Sequence, residues 1–203
     1  MLRNSGKFIL FTLCLLFSLS AQADAVLNAL FHGNDPVAGN PKGNVTIVEF
    51  FDYQCGHCIN MASVIQSVIR SDRNVRVVFK EFPIRGAASE LASRAALAAN
   101  LQGKYYALSH ALLTTSDPLT EATVFSIAQA QGLNINKLKK DMQSPYVSNI
   151  IAANKKLAAQ LGIPGTPAFF IGKTNATDTN DVKYELGELS SYTLQKTIKQ
   201  LSS

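Results

Sequence analysis

The sequence predicts an α/β fold interrupted by an all-helical insertion, and three observations carry that prediction. Val45-Thr46-Ile47-Val48-Glu49-Phe50-Phe51 is apolar along both faces, as a buried parallel strand must be. Met61, Val64, Ile65, Val68 and Ile69 then recur at helical spacing, and Asn74-Val75-Arg76-Val77-Val78-Phe79-Lys80 returns to strand character. Strand, helix and strand within about 35 residues make a βαβ unit. From residue 85 to residue 161 no convincing strand occurs and helical patterning takes over.

Taken in order, the chain opens on a secretory signal peptide over residues 1–23. Arg3 and Lys7 are its basic region, Phe8 to Leu19 its apolar stretch, and Ala21-Gln22-Ala23 its small-x-small cleavage signature. The apolar run is short of the ~20 residues a membrane span needs. Residues 24–44 form a lead-in, with a short helix over Asp24 to Leu30 and a surface stretch over Gly33 to Gly43 rich in Gly, Pro and Asn. Residues 45–84 hold the βαβ unit, with the helix running from Cys55 to about Ser71.

The insertion spans residues 85–161. Helical stretches are expected over Ser89–Asn100 and Lys104–Leu113, and a third opens at Thr120 and stops at Gly132. Asn134 or Asn136 caps a short piece through Met142, and Ser144-Pro145 starts a longer helix that Gly162 ends. Residues 162–203 return to the α/β pattern: a strand over Ala168–Ile171 ended by Gly172, a polar loop, a strand over Val182–Leu186, and a closing amphipathic helix from Ser190 to Leu201.

Charge and cysteine usage narrow the function. The full chain carries a formal +5; without residues 1–23 it keeps 17 bases and 14 acids, hence +3, with no basic block that would suit nucleic acid. Cys14 leaves with the leader, so the exported chain has only Cys55 and Cys58. An exported protein stapled by disulfides normally shows several pairs. A single close pair closes too small a loop to remove much entropy from the unfolded state. Chemistry explains this pair better than stability does.

Cys55-Gly56-His57-Cys58 sits at a helix start, where open N–H groups and the dipole favour a thiolate. Cys55 is the expected nucleophile and Cys58, one turn in, the resolving thiol, with His57 placed to favour the Cys55 thiolate. A structural disulfide or half a zinc site is the competing reading, but zinc wants four ligands and only His32, His57 and His110 accompany the cysteines, so no metal is expected. Gly162-Ile163-Pro164-Gly165-Thr166-Pro167 precedes a buried strand, a setting that suits a cis Thr166–Pro167 bond facing the cysteines and leaves Thr166 backbone groups free for a substrate chain. Glu49 and Lys80 are ionisable residues in adjacent apolar strands. They are expected to form a buried pair or a carboxylate relay for Cys58, against the simpler reading of an exposed strand-end salt bridge.

The segments Glu49 to Cys58, Phe79-Lys80-Glu81-Phe82-Pro83-Ile84 and Gly162 to Phe170 resemble the bacterial DsbA-like thiol–disulfide oxidoreductases. The resemblance covers the chain from about Asn44 to Leu201. It implies a thioredoxin fold with a helical insertion, Cys55 as nucleophile, Cys58 as resolving thiol, Thr166 with cis Pro167 as the substrate-facing loop, and Glu49 with Lys80 on the family's buried acid–base pair. It implies no cofactor, a periplasmic location, reduced exported proteins as substrates, and a DsbB-like quinone-linked membrane oxidase as partner. The Gly-His dipeptide and Thr166 depart from the Pro-His and Val of many oxidases in that group, so an isomerase or reductase kept reduced by a membrane donor stands as the alternative. A non-catalytic copper-binding or chaperone-like module is the reading from another class. The short N-terminal helix leads us to expect a monomer.

Overall fold

A computed structural model of the protein describes residues 23–202; the leader read at the N-terminus falls outside them except for Ala23. The sheet holds β1 (Val37–Gly39), β2 (Val45–Phe51), β3 (Val75–Glu81), β4 (Ala168–Lys173) and β5 (Lys183–Leu186), in the order β1-β3-β2-β4-β5. Only β2 and β3 run parallel; β1, β4 and β5 each run antiparallel to the strand they join. Helix α1 covers residues 23–31, α2 (Gly56–Ser71) links β2 to β3, and α8 (Ser191–Ser202) closes the chain. Between β3 and β4 come α3 (Ala87–Asn100), α4 (Tyr105–Thr114), α5 (Glu121–Ala130), α6 (Ile135–Asp141) and α7 (Pro145–Gln160). This is a thioredoxin fold with an all-helical insertion.

Local chemistry sets the helix limits. Thr120, Asn134 and Ser144 accept the backbone N–H of Thr123, Lys137 and Val147, the side-chain caps that satisfy open donors at helix starts. Of the two asparagines considered for α6, Asn134 is the cap. Gly132 and Gly162, just past α5 and α7, have φ of +72° and +64°, which only glycine adopts without strain.

Strand parity divides the core in two. Val45, Ile47, Phe51, Val75, Val77, Phe79, Phe169 and Ile171 share one cluster with α2, α8 and the insertion helices. Val48, Phe50, Val78, Ala168 and Phe170 face the other way, onto Leu27, Leu30 and Phe31 of α1 and Leu157 and Ala158 of α7. Every residue of β2 is buried, as its lack of alternation requires.

Two expectations are corrected. The lead-in over Gly33 to Gly43 contains β1, three residues paired with β3, too short to show a period in the sequence. Gly172 lies inside β4 rather than ending it. A Cβ there would come within 3.2 Å of Val182 Cγ2 and 3.3 Å of Phe31 Cζ, so its smallness serves close packing instead of chain breaking.

Candidate redox site

The site is built on the start of α2. Cys55 is the N-cap, extended at φ −86° and ψ 113°, and its side chain makes no capping hydrogen bond to the helix. The opening turn therefore keeps donors available to an anion at this end. Cys58 is buried on the inner face of α2 with Met61, Ala62, Ile65 and Val68. Both cysteines are thiols in the structure. The Thr166–Pro167 peptide is cis, and the Cys55 thiol donates to the Thr166 carbonyl at 3.2 Å. Arg85 Nη2 lies 3.9 Å from the same sulfur.

The two thiols are driven apart electrostatically. Burial pushes Cys55 up, but the Thr166 side chain, contacts from Cys58 and the Arg85 guanidinium together outweigh it and leave the thiol more acidic than usual. Burial pushes Cys58 far up, and the charges of Glu49 and Cys55 add to the rise; a hydrogen bond from the Asp52 backbone offsets only part of it. Cys55 is the more acidic of the two sulfurs, and Cys58 holds its proton.

His57 is exposed and turned outward, its Nδ1 2.6 Å from Glu188 Oε1, which also accepts from Asn60 Nδ2 at 2.8 Å. The hydrogen bond and charge of Glu188 raise the His57 pKa.

Glu49 and Lys80 are not partners. Glu49 aligns with Phe79 on β3 and Phe169 on β4, while Lys80 aligns with Phe50. Side chains in register share a face, so Glu49 points toward α2 and Lys80 toward α1. Lys80 is ion-paired instead with Asp35, both side chains nearly wholly buried, and it also donates to the Ala29 carbonyl at 2.6 Å. Glu49, between two phenylalanines, is desolvated, and the charges of Glu81 and Cys55 add to that; its pKa is pushed up to about 8. Glu81, on the same face, is pushed up to about 7 mainly by burial. Its Oε1 accepts from the hydroxyls of Tyr53 at 2.8 Å and Tyr105 at 2.7 Å.

The model of the DSBA-like thioredoxin domain matches residues 46–187 of this chain. The chain belongs to that family. A thioredoxin-like oxidoreductase from Silicibacter pomeroyi DSS-3 is 40% identical, with a TM-score of 0.77 over 85% of this chain and 95% of that one. The thiol-disulfide exchange protein alpha-DsbA2 from Wolbachia pipientis, 24% identical, shares the fold at a TM-score of 0.78, covering 91% of this chain and 98% of that one. The Na(+)/H(+) antiporter NhaA 1 of Mycolicibacterium gilvum (strain PYR-GCK) is 28% identical over 68% of this chain, which spans only 23% of that relative's length.

In this DSBA-like domain, sequence reasoning did not find the residues that hold the loop after β3 in place. Asp52 is fully buried; its Oδ2 accepts from the N–H groups of Ile84 and Arg85 at 2.8 and 3.0 Å, and its Oδ1 from Gln54 N and Ser89 Oγ, both at 2.7 Å. Gln54 Nε2 donates to the Arg85 carbonyl at 2.9 Å. These bonds deliver Arg85 to Cys55. The one available signal for Asp52 was an acid directly after an apolar strand. Asp35 carried none, because it lies in a polar loop where any acid looks solvated.

Proposed function

We propose that the protein is a thiol–disulfide oxidoreductase that donates the Cys55–Cys58 disulfide to reduced proteins exported to the bacterial periplasm. A substrate thiolate attacks Cys55 Sγ; the Cys55–Cys58 bond breaks, and Cys58 leaves and takes up a proton. A second substrate thiolate then attacks the substrate sulfur of the mixed disulfide, and Cys55 leaves as a thiolate. Two electrons pass from the substrate dithiol to the enzyme. A DsbB-like membrane oxidase linked to quinone would restore the disulfide.

The observation that carries this reading is the asymmetry of the pair: Cys55 is acidic beside Arg85 and the first turn of α2, and Cys58 is strongly protonated beneath it. A stabilised Cys55 thiolate favours the dithiol form, which makes the disulfide form oxidising. Glu49 faces Cys58 and carries a proton near neutrality, so it is suited to supply the proton that Cys58 needs on leaving. The Thr166–Pro167 loop is the docking edge for the substrate backbone. Thr166 also supports a second reading, a disulfide isomerase or reductase held reduced by a membrane donor.

Redox equilibrium with glutathione, read by thiol alkylation, separates the two. The oxidase reading expects a potential well above thioredoxin's, about −270 mV. A potential close to that value, with an ordinary Cys55 ionisation, moves the protein to the second reading. Absence of exchange in any direction removes both and leaves the binding module.

A further inference from the structure

The segment Gly187-Glu188-Leu189, between β5 and α8, is pinned to both halves of the redox site. Gly187, at φ +88°, donates its N–H to the Pro167 carbonyl at 2.8 Å. Leu189 is buried and places its N–H 3.3 Å from Met61 Sδ, on the inner face of α2. The residue between these anchors therefore has a fixed backbone, and its carboxylate meets the first turn of α2 through His57 Nδ1 and Asn60 Nδ2 on a single oxygen. An ordinary surface ion pair joins two flexible side chains; here the acid is carried on a backbone anchored on both sides.

We propose that Glu188 is a positioning residue of the redox site, holding His57 with Nδ1 as the protonated donor and Nε2 as the free nitrogen. The inference rests on disulfide exchange through Cys55 and adds a residue that orients the histidine between the two cysteines. A carboxylate only accepts, so the bond to Glu188 places a proton on Nδ1 in both charge states of the ring. Titration then occurs at Nε2. The pairing lowers the Glu188 carboxyl through its bonds to His57 and Asn60 while raising His57. Two further charges face the ring: the Cys55 thiolate favours the imidazolium, and Arg85 opposes it.

The test uses the reduced protein with Glu188→Gln. Imidazole NMR reports the His57 tautomer and titration. Glu188→Gln should release the Nδ1–H tautomer and lower the His57 pKa. An unchanged His57 tautomer and titration overturns the proposal. If the wild type exchanges no disulfides, the oxidoreductase reading falls, while the histidine titration still decides the role of Glu188.

Discussion

At Arg85, a single exposed guanidinium 3.9 Å from Cys55 Sγ contributes to the acidity of the nucleophile. Arg85→Met should raise the pH at which Cys55 ionises and cut the thiolate fraction at neutral pH roughly threefold, since the guanidinium is exposed and partly screened although the sulfur is buried. Thiolate absorbance against pH measures it, and added salt should shrink the difference. The buried acids act on stability. Glu49 and Glu81 ionise at about 8 and about 7 when folded, against an ordinary 4.5. Between those values the folded chain holds protons that the unfolded chain releases. The stability they contribute is full below about pH 4.5 and is lost as pH rises to 7 and 8. Urea unfolding at pH 5 and pH 8 should show that loss, and Glu49→Gln should flatten it; an unchanged slope would assign the pH dependence elsewhere. On the other side of the sheet, Asp35→Asn leaves Lys80 charged and unpaired in the interior and should cost about 3 kcal/mol, measured by urea unfolding at neutral pH.

Among the elements, what could be read from the sequence was whatever neighbouring residues determine. The caps Thr120 and Ser144, the turn glycines Gly132 and Gly162, and the unbroken apolar runs of β2 and β3 each declare themselves within a few positions. The partners of ionisable residues did not. Strand parity was available: with β2 and β3 in parallel register, an odd and an even residue cannot share a face, and that alone separates Glu49 from Lys80. The register itself, however, depends on the whole sheet. Asp35, Arg85 and Glu188 reach their partners across 45, 30 and 131 positions, beyond any local pattern. β1 was hidden because three residues show no period, yet its last position is demanding. Gly39 has φ +80°, and a Cβ would come within 2.6 Å of the Val75 carbonyl oxygen. Gly39→Ala should destabilise the protein by about 2 kcal/mol or more in denaturant unfolding.

For the molecule as a whole, Glu81 joins the sheet to the insertion. Its Oε1 takes hydroxyl protons from Tyr53, just past β2, and from Tyr105 at the start of α4, while Ser109 of α4 lies 2.9 Å from the Tyr53 hydroxyl. Tyr105→Phe removes one donor from a buried carboxyl group and should cost about 1–3 kcal/mol by urea unfolding.

The end of β3 carries one more implication. Lys80 and Glu81 are consecutive and look into opposite layers, the base toward Asp35 and the acid toward two tyrosines. A slip of the strand by one residue would exchange those layers. Glu81 would then meet Asp35, acid against acid in a dry interior, and Arg76 would be driven beneath α2. The pair thus works as a keyed end to the strand: the apolar residues of β3 would tolerate several alignments, and these two charges admit one.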